Sequence, residues 1–120
     1  DPYQKMGSLS DEMLRAVRLV VDTGLHSGTM NREEAIKYFL SNISYDEAAA
    51  TAEIERYMAM PGQALSYKIG ALKIRELRDQ YQQELGSKFS LAKFHDEVLN
   101  QGCLPLDVLD RKMELWAKKQ

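Results

Sequence analysis

An all-α fold of about six helices follows from three features of the sequence. Helix-capping signals recur along the chain, apolar residues fall at spacings of three and four, and no segment alternates in the two-residue period of a half-buried strand. With 120 residues the chain is long enough for a real core without staples, so residues 1–120 are expected to form a single helical domain, a compact bundle built around one long central helix.

Ser10 is placed to cap a helix over about residues 11–23, with Asp11 and Glu12 in its first turn and Gly24 as its left-handed stop. Within it Met13, Leu14, Ala16, Val17, Leu19, Val20 and Val21 point in nearly every direction, which predicts burial on most sides. Asn31 with Glu34 forms a capping box for a helix to about Leu40, and Ser44 with Glu47 repeats the device for a third helix reaching Met60. Pro61 and Gly62 break the chain there. A fourth helix over about residues 63–85, on the order of 34 Å long at about 1.5 Å per residue, is the expected spine, and Gly86 ends it. Ser90 caps a fifth helix through Gln101, closed by Gly102. A sixth runs from about Leu106 to Lys118 behind Pro105, docking by the stripe Leu106, Leu109, Met113 and Trp116.

Composition narrows the function classes. Sixteen Lys and Arg stand against eighteen Asp and Glu, a net charge of −2, without the clustered cationic excess that a nucleic-acid or anionic-membrane partner draws on. The most basic run, Arg111-Lys112 with Lys118-Lys119, sits at the end of the last helix, where it complements the macrodipole. Cys103 is the single cysteine, which excludes an internal disulfide and a multi-cysteine metal site. No stretch approaches the roughly 20 apolar residues of a membrane span.

Polar residues on helices mark the candidate site. Arg15, Arg18 and Asp22 share one face of the first helix. Charge on an apolar helix must be paired or face a wet cleft, so an Arg18–Asp22 pair and a ligand-binding face are both consistent with the spacing. His26 either caps the last carbonyls of that helix or reaches into a cleft as a donor or general acid, whereas His95 beside Phe94 reads as a satisfied core histidine. Two histidines without a His-Glu-x-x-His spacing give this chain no zinc site of its own. The densest stretch runs from Glu55 to Gly70: across the Pro61-Gly62 break, Gln63, Tyr67, Gly70 and Ile74 line one face of the fourth helix. Gly70 costs about 1 kcal/mol relative to Ala inside a helix, which predicts close approach of a neighbouring helix or a ligand. Tyr67 either donates to a developing oxyanion or packs between helices.

The run Arg15-Ala16-Val17-Arg18-Leu19-Val20-Val21-Asp22-Thr23-Gly24-Leu25-His26, followed by Arg56-Tyr57, Pro61-Gly62-Gln63-Ala64-Leu65-Ser66-Tyr67-Lys68-Ile69-Gly70, Phe94-His95-Asp96 and residues 102–106, resembles the C-terminal end of the bacterial family catalogued as domain of unknown function 885. That resemblance implies a C-terminal fragment of a much longer, largely helical protein similar to gluzincin zinc metallopeptidases. Zinc and its ligands would then belong to the parent protein, upstream, and this fragment would hold no cofactor and have no hydrolytic activity. By analogy with similar helical peptidases, Tyr67 is the candidate transition-state donor. Arg56, Tyr57 and Gln63 would orient a peptide substrate, and Arg18, Asp22 and His26 would line or brace the opposite wall. Members usually carry Trp after the glycine that follows the His26 segment, where this chain reads Ser27-Gly28-Thr29-Met30. The partners implied are the remainder of the parent chain and a peptide, with a fragment dimer open through exposed helix faces. A cytoplasmic parent and an exported one, periplasmic or lipid-anchored, are equally open. The alternative is a non-enzymatic helical interaction or oligomerisation module using the same residues as a groove.

Overall fold

The computed structural model describes residues 1–120. It contains six α-helices and no strand: α1 Pro2–Ser27, α2 Arg32–Asn42, α3 Glu47–Ala59, α4 Ser66–Leu85, α5 Leu91–Leu99 and α6 Leu106–Ala117, with 3-10 turns at Gln63–Leu65 and Gly86–Lys88. The chain divides into two compact units, Asp1–Ile69 and Gly70–Gln120.

In the first unit, α1, α2, α3 and the first 3-10 turn close over a core of Val17, Val21, Ala35, Phe39, Ala50, Ile54, Tyr57 and Ala64. The capping box of α2 forms as its sequence requires: the Glu34 amide donates to Asn31 Oδ1 and the Asn31 amide to Glu34 Oε2, each at 2.9 Å. Helix α1 departs from expectation at both ends and, with 26 residues against 20 in α4, is the longest helix. Asp1 caps it, accepting the Tyr3 amide at 2.9 Å, and the helix runs straight through Gly7, Ser8 and Ser10 despite their lower helix propensity. Its left-handed stop is Gly28, at φ 74°, and Gly24 stays helical. Gly24 is needed for space instead. A Cβ there would lie 2.8 Å from the Met30 sulfur, which folds back over the helix end as the Met30 amide bonds the Gly24 carbonyl at 3.0 Å. Nor is α1 buried on most sides, since Met13 and Val20 remain 48% and 39% exposed. The cap of α3 is Asp46, which accepts the Ala49 amide at 2.8 Å, and not Ser44. Tyr45, edge-on to Phe39 with ring centroids 5.5 Å apart, delays the turn into that helix.

The second unit packs Leu77, Tyr81, Phe94, Val98, Leu109, Met113 and Trp116 together. Trp116 lies edge-on to Tyr81 and to Phe94, at 6.1 and 6.0 Å between centroids, a geometry that pairs a ring edge with a π face. Leu109, Met113 and Trp116 are buried and Leu106 is half-buried, as the α6 stripe predicts. His95 is exposed and not a core histidine: Phe94 and Val98 share the buried face of α5, and the next position turns outward. Gly70 is not required by a close neighbour, because a Cβ there would meet nothing within 4 Å. No helix is long and apolar enough to cross a membrane.

Candidate functional site

The last two turns of α3 carry Glu53, Arg56 and Tyr57 at spacings of three and four, so all three share one face. Tyr57 is fully buried, and its hydroxyl donates to Glu53 Oε2 at 2.5 Å. Arg18, reaching across from α1, donates from Nε to the Tyr57 hydroxyl at 2.9 Å and from Nη2 to Glu53 Oε2 at 3.1 Å. Arg56 grips both oxygens of Glu53, at 3.3 and 3.0 Å, and spends its remaining nitrogen on Gln63 Oε1 at 2.9 Å. Both guanidiniums lie over the Tyr57 ring, at 5.7 and 4.8 Å from its centroid.

Electrostatics follow from that geometry. Burial by itself would raise the Glu53 carboxyl, but hydrogen bonds from Arg56, Tyr57 and Arg18 outweigh it and hold the group at about 2. Burial, with the bond to Glu53, pushes the Tyr57 phenol up to about 12. Glu53 is therefore a charged, fully engaged anchor and Tyr57 a fixed donor, so neither is a free base or nucleophile. Two guanidiniums against one carboxylate leave a positive excess at the cluster, which favours an electron-rich group beside it.

Tyr67 stands at the start of α4 with its ring half-exposed between two cations, the guanidiniums of Arg15 and Arg18 at 5.3 and 5.5 Å from its centroid. On the same face, Arg15 pairs with Asp11 and Lys68 with Glu12.

One turn along α1, Asp22 is 1% exposed. Its Oδ1 accepts the Gly62 amide at 3.2 Å and lies 2.8 Å from His26 Nδ1, which is also 2.8 Å from the Asp22 carbonyl. Both neighbours are acceptors, so Nδ1 carries the proton. The hydrogen bond to the Asp22 carbonyl raises the His26 pKa, burial opposes it, and the Asp22 carboxylate adds to the rise. This contact ties the end of α1 to the Pro61-Gly62 turn, where Gly62 takes φ 78°. Asp22 Oδ2 is buried without a partner.

Arg18, Arg56, Tyr57, Gln63 and Tyr67 thus meet in one cluster, with Asp22 and His26 in a second beside it on α1. The Arg18–Asp22 pair does not form: Glu53 and Tyr57 take Arg18, and the turn amide and His26 take Asp22. Glu53, the centre of the network, escaped the sequence reading, although its position three and four residues before Arg56 and Tyr57 was the signal for it. No group of three or more His, Cys, Asp or Glu gathers in the structure, so these residues do not fit the zinc that the resemblance implies for the parent protein.

The profile of the family described as "Bacterial protein of unknown function (DUF885)" matches residues 1–113. The chain belongs to the DUF885 family. Among solved structures, this DUF885 chain is similar to the one described as "the putative lipoprotein from Colwellia psychrerythraea", with 52% identity and a TM-score of 0.97. That match covers 100% of this chain and 20% of the other, so the chain spans about one-fifth of its relative's length. No curated protein matches.

Proposed function

We propose that this DUF885 chain is the C-terminal helical part of a longer peptidase-like protein, where it forms a substrate-contacting wall and is inactive alone. The observation that carries the reading is the Glu53 network: it fixes Arg18 and Arg56 in place, and Arg18 with Arg15 flanks the half-exposed Tyr67 ring. A phenol held in a positive field is suited to donate to an oxyanion as charge develops, and the scaffold needs no rearrangement to present it. Gln63, held by Arg56, and the Asp22–His26 clasp fix the turn that leads into α4, where Tyr67 stands. Any metal of the parent protein would be held by residues outside these 120.

The test is Tyr67→Phe in the full-length DUF885 protein, assayed on a pool of unblocked peptides. Turnover is expected to fall by about 10² to 10³, the cost of one oxyanion donor, with the helical circular dichroism unchanged. Undiminished turnover in a folded variant removes Tyr67 from the chemistry. A purely structural interaction role is the second reading, favoured by the exposed Tyr3, Met6 and Leu9 on α1. It predicts no peptide turnover by the wild-type protein at all.

A further inference from the structure

Helix α1 carries a second apolar face besides the one that Val17 and Val21 bury. Met6, Leu9 and Met13 are 66%, 57% and 48% exposed. With Ala16 and Val20 they recur at alternating spacings of three and four, the heptad pattern of a helix seam. The connection between α2 and α3 brings Ile43 and Tyr45 alongside, and with Met6, Leu9 and Met13 they wall an open groove of about 430 Å³ that Ser10 and Asn42 also line. Asp11, the one carboxylate in the groove wall, has its charge paired with Arg15.

We infer that this groove seats an amphipathic helix from the part of the DUF885 protein outside these 120 residues. The similar Colwellia psychrerythraea chain, 52% identical over this region, devotes only 20% of its length to it, which leaves ample chain to supply that helix. The heptad spacing selects the form of the occupant: an extended strand has a period of two, whereas a helix crossing at about 20° sets its own apolar residues between Met6, Leu9 and Met13. This inference rests on the reading of the chain as part of a longer protein, and not on Tyr67 or any hydrolytic activity.

The test is hydrogen–deuterium exchange of the full-length protein, wild type against Met6→Asp/Met13→Asp, at two protein concentrations. Amide protection is expected to fall at least about ten-fold both in residues 3–13 and in one helical segment outside residues 1–120, independently of concentration. A loss confined to residues 3–13 overturns the inference, and protection that grows with concentration makes a second copy the occupant instead. Should the double variant not fold, a photo-crosslinking residue replacing Leu9 in the otherwise wild-type protein gives the same decision. A cross-link within one chain to a residue beyond the 120 is expected, and an intermolecular cross-link or none overturns it. An intact mass of the natural protein equal to these 120 residues alone would remove the longer-protein reading and the inference together, while loss of the Tyr67 role would touch neither readout.

Discussion

The two units solve the same packing problem with different materials. Residues of α4, α5 and α6 in the second unit meet through Tyr81, Phe94, Met113 and Trp116, and their ion pairs, such as Lys73–Asp110 and Lys118–Glu114, lie on the rim. In the first unit a carboxylate, two guanidiniums and a phenol sit where α1 crosses α3. Apolar contacts alone would hold those helices without desolvating charges, a cost that is only partial here because the Glu53 and Arg56 side chains stay 26% and 34% exposed. The polar cluster is the candidate site of the proposed function, and the apolar unit reads as its scaffold.

The contrast is sharpest in what each centre contributes to stability. Trp116→Ala empties the second core and is expected to cost about 3–5 kcal/mol in denaturant unfolding, whereas a loss below about 1 kcal/mol would break the scaffold reading. Glu53→Gln is expected to cost less, about 1–3 kcal/mol at neutral pH, because its partly exposed site lets water reach the freed guanidiniums. Its signature is in acid. The Glu53 carboxyl is held at about 2 against an ordinary 4.5, so its contribution is complete above about pH 4.5 and disappears as pH falls towards 2. Denaturation curves between those values should be flatter in the Gln variant, and unchanged curves would mean that the network does not stabilise the fold.

Glycines offer a finer comparison. Gly70→Ala meets open space inside a helix and is expected to stabilise by about 1 kcal/mol, while Gly24→Ala drives a methyl against Met30 and is expected to destabilise by about 1–3 kcal/mol. Thermal melts of the two variants should therefore move in opposite directions, and a shift of one sign would refute the space argument. The smallest effect belongs to His26. Its folded pKa is raised above the ordinary 6.5, so its contribution is fully present below about pH 6.5 and is lost as pH rises through the folded value. An NMR titration placing the His26 pKa at or below 6.5 would contradict the Asp22 clasp.

Much of this was legible in the order of residues. The capping box at Asn31, the break at Pro61-Gly62, the Ser90 cap and the α6 stripe are signals carried within three or four positions, and each appears where the spacing puts it. The polar residues of α1 and of the turn were recognisable as candidates for the same reason. Glu53 was not, although Arg56 and Tyr57 stand three and four positions on, because the pairing that makes it the centre of the network is with Arg18, 35 positions away in the chain. His95 is exposed although it follows the buried Phe94, because the next residue in sequence points to a different face of the helix.

Local spacing therefore decided the all-α class, most helix boundaries and which side chains were unusual for simple packing. Only the tertiary structure decided that α1 spans Pro2–Ser27 and stops at Gly28, that Gly24 makes room for Met30, and that Arg18 turns to Glu53 and Tyr57 and away from Asp22. The physical reason is competition. A side chain has several partners within reach of its own helix, and the one it takes is settled by whichever group another helix brings closer and leaves drier.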